Sequence, residues 1–214
     1  LLARSIERMS AEALDAFTPD LQRACEQVLS GGMDPAMKAL TLSLPSEEYL
    51  ADRAAQRGLV DVAEIHLQRR RLKAAMGEAM DSPWRQVLTS YANAEQYTPG
   101  AYDIGVRALR HLALDFLLAA EPQALAPARD LYESSDNLSD RLAALRWIVC
   151  HGQPEERAEV LDDFYGRWKH EALVVNQWLT VQATRPNADC VESVAALMEH
   201  ESFDWRNPNK LRAL

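Results

Sequence analysis

The sequence predicts an all-α protein, a superhelical array of short antiparallel helix pairs of the HEAT or armadillo kind. Three observations predict it. Apolar residues recur at helical spacing along nearly the whole chain, while the alternation that marks a half-buried strand is almost absent. Breaks built from Pro, Gly, Asn and Asp cut that pattern into short segments. Of 214 residues, 48% are apolar, 26% are charged and only 8 are Gly. That composition suits a packed helical domain and is too apolar for a disordered chain.

The elements follow in order. Thr18-Pro19-Asp20-Leu21 reads as a cap with Pro just inside a helix that runs to Leu29, and Gly31-Gly32 stops it. Asp34-Pro35 starts a short helix that ends before Pro45. Ser46-Glu47-Glu48 opens another with acids in its first turn, where the helix dipole favours them, and Gly58 ends it. Val60 to Met80 is a long amphipathic helix with Val62, Ile65, Leu72, Ala75, Met76 and Ala79 on its apolar side. Asp81-Ser82-Pro83 restarts the chain into a helix through Leu88 and Tyr91, and Thr98-Pro99-Gly100 breaks it. The next runs from Ala101 to Ala120 and packs through Val106, Leu109, Leu112, Ala113, Phe116 and Leu117.

Shorter helices complete the chain. One spans Pro122 to Glu133; the next is capped near Asp136–Asn137 and carries Leu142, Leu145 and Ile148. Gly152-Gln153-Pro154 separates it from a helix through Val160, Phe164 and Tyr165. Leu173 to Val181 and Val191 to Met198 are two more, and Asn207-Pro208-Asn209 caps a last one. Short helices joined by tight breaks predict stacked antiparallel pairs in a right-handed superhelix rather than a closed bundle. No repeat of fixed period is present, and no linker argues for two domains, so residues 1–214 are expected to form one helical domain. The absence of a starting Met and the brevity of the last helix suggest an incomplete fragment of a larger domain.

Charge and cysteines bound the function. With 23 Lys and Arg against 32 Asp and Glu, the formal net charge is −9, which disfavours nucleic acid as a partner. No stretch approaches the roughly 20 apolar residues of a membrane span; the longest apolar run, Leu112 to Ala120, is interrupted by Asp115. Cys25, Cys150 and Cys190 follow no metal or disulfide spacing, so buried, reduced thiols and a cytoplasmic location are expected.

The search for chemistry returns little. A zinc peptidase needs two His one helical turn apart with a Glu beside the first. His170-Glu171-Ala172-Leu173-Val174 has Val where the second His belongs. His66, His111, His151, His170 and His200 are dispersed, and none has a second His or Cys three or four residues on. Cys150 and His151 are adjacent, but neighbours on a helix point in different directions. Arg69-Arg70-Arg71 and Lys73 fan around a helix and form a solvated face, not one patch. The acid pairs Glu47-Glu48, Glu155-Glu156 and Asp162-Asp163 are placed near helix N-termini. Trp84, Trp147, Trp168, Trp178 and Trp205 are expected mostly as core anchors. Neither a catalytic residue nor a metal or cofactor ligand emerges.

From Leu131 onward a resemblance carries more. Tyr132-Glu133-Ser134-Ser135-Asp136-Asn137-Leu138-Ser139-Asp140-Arg141-Leu142-Ala143-Ala144-Leu145 resembles the Y-x-x-A-x-N-M-T-D-x-x-A-A-L segment of bacterial aminopeptidase N. Ser135, Leu138 and Ser139 are conservative departures. Phe164 to Trp168, Leu173 to Leu179 and Gln182-Ala183-Thr184 are similar to the family's Y-x-x-K-W, L-V-x-x-K-W-F and Q-A-T blocks. Phe203 to Leu214 is similar to its S-F-x-x-x-N-P-N-R-x-R-S-L block. Earlier, Leu40 to Pro45 resembles an L-T-L-P element, and Leu1-Leu2-Ala3 the start of the helical domain.

The resemblance implies the C-terminal helical domain of a four-domain gluzincin, a zinc metallopeptidase whose catalytic domain supplies G-A-M-E-N and H-E-x-x-H. Neither motif occurs in this sequence. Zinc would therefore sit in a missing domain, and the partners implied are the remaining domains of the parent and small peptides. In the family the helical domain lids and walls the active-site chamber, and an Arg of the last block faces it; Arg212 is the match here. Its guanidinium suits the carboxylate end of a peptide, and a salt bridge or a plain surface charge is the other reading. Asn207 and Asn209 are read as caps. The competing function is a free-standing helical-repeat scaffold that binds proteins.

Overall fold

The computed structural model describes residues 2–12, 17–91, 97–186 and 189–214, with the side chains of 8–12 excepted; Leu1, which opens the expected family start, lies outside them. The described residues form helices and connecting loops without a strand, as the sequence predicts. The chain gathers into two compact units, Leu1–Pro122 and Gln123–Leu214.

The first unit holds α1 (Leu2–Glu12), α2 (Pro19–Ser30), α3 (Pro35–Leu42), α4 (Glu47–Ala55), α5 (Val62–Ala79), α6 (Asp81–Ser90) and α7 (Ala101–Ala120). Local chemistry sets the starts. Thr18, Asp34, Ser46 and Asp61 each accept a hydrogen bond from a backbone N–H in the first turn of the helix that follows. Pro occupies the first turn of α2 and of α3, where its missing N–H costs nothing. Gly58 has φ 145°, a conformation that favours glycine, and so turns the chain from α4 toward α5.

α5 and α7 pack along one another, with α1 and α4 also against α5 and α3 and α6 against α7. The contacts are close: a Cβ on Gly77 of α5 would meet the Phe116 carbonyl oxygen at 2.0 Å. Trp84 of α6 stacks on Phe116 at 4.8 Å between ring centroids, and its indole N–H donates to the Met76 carbonyl at 3.1 Å. Buried Lys38 turns inward and donates to Leu29 O, in the last turn of α2, at 2.6 Å. The core face of α5 runs through Ile65, Gln68, Leu72 and Met76, and buried Met80 follows just past its end. Buried Gln68 donates to Glu64 at 2.6 Å, which explains a polar residue in that row. Val62, expected on the face, is exposed instead.

The second unit holds α8 (Ala126–Ser134), α9 (Leu138–His151), α10 (Pro154–Trp168), α11 (Ala172–Ala183), α12 (Cys190–Met198) and α13 (Pro208–Ala213). α8 starts later than the sequence suggests. α8 packs on α9, α9 on α10 and α10 on α11, each after a break of two or three residues, so neighbours run antiparallel. α12 and α13 both pack on α11. Leu145, Phe164 and Leu179 are fully buried in this unit. Arg185, also buried, pairs with Asp189 at 2.8 Å and holds that carboxyl below its usual range.

Candidate functional site

The residue blocks that carry the resemblance turn out to be mostly structural. Asn137 caps α9: its side-chain oxygen accepts from the Asp140 N–H at 2.9 Å, and its amide donates back to the Asp140 carboxylate at 2.9 Å. Tyr132 donates its hydroxyl to Asp163 at 2.7 Å, joining α8 to α10, and Arg167 completes the network at 2.8 Å from the same carboxylate. Burial, then the bond to Asp163, pushes the phenol of Tyr132 well above its ordinary range. Asp162 and Asp163 lie in the later half of α10, not near its N-terminus as the sequence reading places them. Trp178 of α11 is buried and donates to Leu161 O at 3.0 Å.

Arg212 sits on α13, the short helix at the end of the chain. Pro208 opens it, and Asn207 accepts from the Asn209 N–H at 3.0 Å. Asn207 is thus the cap that the sequence suggests, while Asn209 lies in the first turn itself. Thr180 on α11 anchors the other end, with Oγ1 3.0 Å from both the Asn176 and the Ala213 carbonyl oxygens; the hydroxyl donates to one at a time. Arg212 itself is exposed, and among the described residues no carboxylate lies within ion-pair range of it. Lys210 is partly buried without an acidic partner among the described residues, and that burial lowers its ammonium pKa. Arg206 is exposed and lies over the Trp205 ring, 5.6 Å from its centroid. The segment from Arg206 to Arg212 therefore offers three cations that no carboxylate of the described residues neutralises.

Next to this segment stands a cluster that sequence reasoning missed. His200 lies 5.0 Å from Tyr165 and 5.1 Å from Trp178 between ring centroids. Its Nδ1 accepts the Ser202 N–H at 3.1 Å, and the Tyr165 hydroxyl donates to Glu201 at 3.0 Å. The cluster pins the loop that leads to α13. No sequence signal links Tyr165 to His200 across 35 positions.

The remaining candidates do not assemble. His170 and Glu171 are both exposed before α11 begins, with Glu171 as its capping position. Among the described residues no three His, Cys, Asp or Glu side chains gather as a metal ion would require. Cys25 is buried, and that burial first of all pushes its thiol up to about 11, the opposite of an activated nucleophile. Arg69 turns to Pro45 O at 2.8 Å while Lys73 pairs with Asp115 of α7 at 2.6 Å, so the basic run does fan apart. Three of the five Trp are buried; Trp205, at 70% exposure, is no core anchor.

The described residues fold into an all-α array of packed helix pairs. The family described as "Domain of unknown function (DUF3458_C) ARM repeats" matches residues 1–214, and the chain belongs to it. The chain is 35% identical to aminopeptidase N of Caulobacter vibrioides over 85% of its length, covering 21% of that protein. It is 31% identical over its whole length to aminopeptidase N of Haemophilus influenzae, covering 24% of it. Against aminopeptidase N of Escherichia coli the identity is 29% over 87% of the chain and 21% of the relative. A crystal structure of Legionella pneumophila aminopeptidase A in complex with aspartic acid shares the fold, with a TM-score of 0.85 and 23% identity over 100% of this chain and 26% of that one. The resemblance to bacterial aminopeptidase N drawn from the sequence blocks is borne out, and the chain spans about a quarter of the length of these relatives or less.

Proposed function

We propose that this chain is a non-catalytic part of the C-terminal helical domain of a larger zinc-dependent aminopeptidase, one that removes N-terminal residues from small peptides. Its two units together belong to that one domain and form the lid and wall of the active-site chamber. The single observation that supports the reading most is the match of all 214 residues to a helical family together with aminopeptidase N relatives at 29–35% identity. Zinc, and the residues that bind the substrate's amino group, belong to another domain. Three free cysteines suit a cytoplasmic enzyme.

Arg212 is the residue of this chain that meets substrate. It is exposed and unpaired among the described residues, and its planar guanidinium matches the carboxylate of a short peptide. In the full-length enzyme Arg212→Ala should raise KM for di- and tripeptides about three- to tenfold and leave KM for an amino-acid amide without a carboxylate unchanged. Equal effects on both substrates would remove the carboxylate role.

A further inference from the structure

The helix that carries Arg212 is held by few contacts. α13 has 6 residues, too short to keep helical form by itself, and none of them is buried. It lies against α11, and the Thr180 hydroxyl of α11 reaches Ala213 O, the carbonyl next after Arg212, at 3.0 Å. Among the described residues no other hydrogen bond joins α13 to another helix.

The front of α13 is set separately. The loop before it is pinned by His200, whose ring lies 5.0 Å from that of Tyr165 and 5.1 Å from that of Trp178. Asp204 then turns the chain into the helix: its Oδ1 accepts the Arg206 N–H at 2.9 Å, and its carbonyl accepts the Asn207 N–H at 2.9 Å. With the front fixed there, Thr180 decides where the far end lies, and with it the root of the Arg212 side chain.

Thr180 has a second acceptor, Asn176 O, also at 3.0 Å. That carbonyl lies within α11, whose own N–H ladder supplies it with a donor. The hydroxyl therefore adds most where it reaches across to Ala213 O. Thr184, one turn further along α11, shows the contrast, because its hydroxyl donates at 2.7 Å to Thr180 O inside its own helix.

From these contacts we infer that Thr180 is a positioning residue, whose hydroxyl fixes the end of α13 so that the Arg212 guanidinium is aimed before a peptide carboxylate arrives. This role rests on the substrate contact proposed for Arg212. A guanidinium meets a carboxylate through two parallel N–H bonds, and that geometry tolerates little displacement of the backbone that carries it. A side chain already rooted also loses less freedom on binding. Thr180 takes part in no bond making or breaking, so its loss shows in KM for a substrate with a carboxylate, not in kcat.

Steady-state kinetics of the full-length enzyme tests this, with a tripeptide and an alanyl amide as substrates. Thr180→Val keeps the shape of the side chain and removes the donor. It should raise KM for the tripeptide about two- to fivefold relative to KM for the amide. Thr180→Ser restores the donor and should restore the wild-type ratio. Thr184→Val, the same change one turn along, should leave the ratio as it is. In an Arg212→Ala background Thr180→Val should add nothing further, because it acts through the guanidinium. Equal changes on both substrates, a Ser variant as impaired as the Val variant, or a further loss beyond Arg212→Ala would each overturn the positioning role. If Thr180→Val fails to hydrolyse the amide, Thr180→Ala takes its place; failure of both also overturns the role, since the hydroxyl then holds the fold and not the arginine. An inactive wild-type polypeptide, or an Arg212→Ala variant that shifts both substrates alike, refutes the reading beneath and takes the positioning role with it. A selective Arg212→Ala beside an indifferent Thr180→Val refutes the positioning role alone.

Discussion

At the scale of single residues, the chain's chemistry is that of capping and bridging. Glu7 on α1 receives Arg53 at 2.7 Å and Arg57 at 2.9 Å from the α4 side. The hydrogen bond from Arg53 is the main reason its carboxyl lies below the ordinary glutamate value of 4.5. Glu156, bonded to Arg129, is lowered in the same way. A depressed carboxyl contributes stability that is complete above its unfolded value and lost as pH falls through the lower folded value. Urea titrations should therefore show stability dropping below about pH 4.5, and Glu7→Gln should lower stability at pH 7 while flattening that acid-side drop. An unchanged acid limb would contradict the bridge. Residues that act on their own neighbourhood were legible in sequence: Thr18, Asp34, Ser46 and Asn137 cap where their spacing says they should. Tyr132 with Asp163, and Tyr165 with His200, were not, because their partners lie 31 and 35 positions away and no local pattern encodes the pairing.

At the scale of elements, helix starts and stops followed from Pro, Gly and cap residues, and Ala101–Ala120 came out as the spacing predicts. Which face of a helix is buried was less legible. Val62 shares the spacing of Ile65 and Leu72 yet is exposed, while Gln68 is buried; a face is covered only where another element reaches it, and that depends on distant sequence. Close helix approach was hidden for the same reason, since a glycine in a helical pattern does not announce its neighbour. Two glycines make the point testable. Gly77→Ala gains helix propensity of up to about 1 kcal/mol but drives a methyl into the Phe116 carbonyl, an overpacking that costs about 1–3 kcal/mol, so it should destabilise. Gly166→Ala in α10 meets nothing within 4 Å and should stabilise by about 0.5–1 kcal/mol. Thermal unfolding of both variants checks the pair, and a stabilising Gly77→Ala would refute the tight α5–α7 crossing.

At the scale of the whole molecule, the family carries the functional reading. His170-Glu171 lacks its second His, and the structure leaves both residues exposed ahead of α11. The ordered blocks from Tyr132 to Arg212 identified the family because they encode packing and caps, which sequence preserves legibly. The substrate role proposed for Arg212 rests on its exposed position on α13 and on the block it belongs to. The central claim is that this helical chain serves an aminopeptidase without performing its chemistry. It is tested most directly by assaying the 214-residue chain and the full-length polypeptide side by side on a chromogenic alanyl amide with zinc supplied. Hydrolysis by the full-length polypeptide with only background release by the chain is the predicted result. Turnover by the chain alone at enzyme-like rates, or none by the full-length polypeptide, would contradict the account.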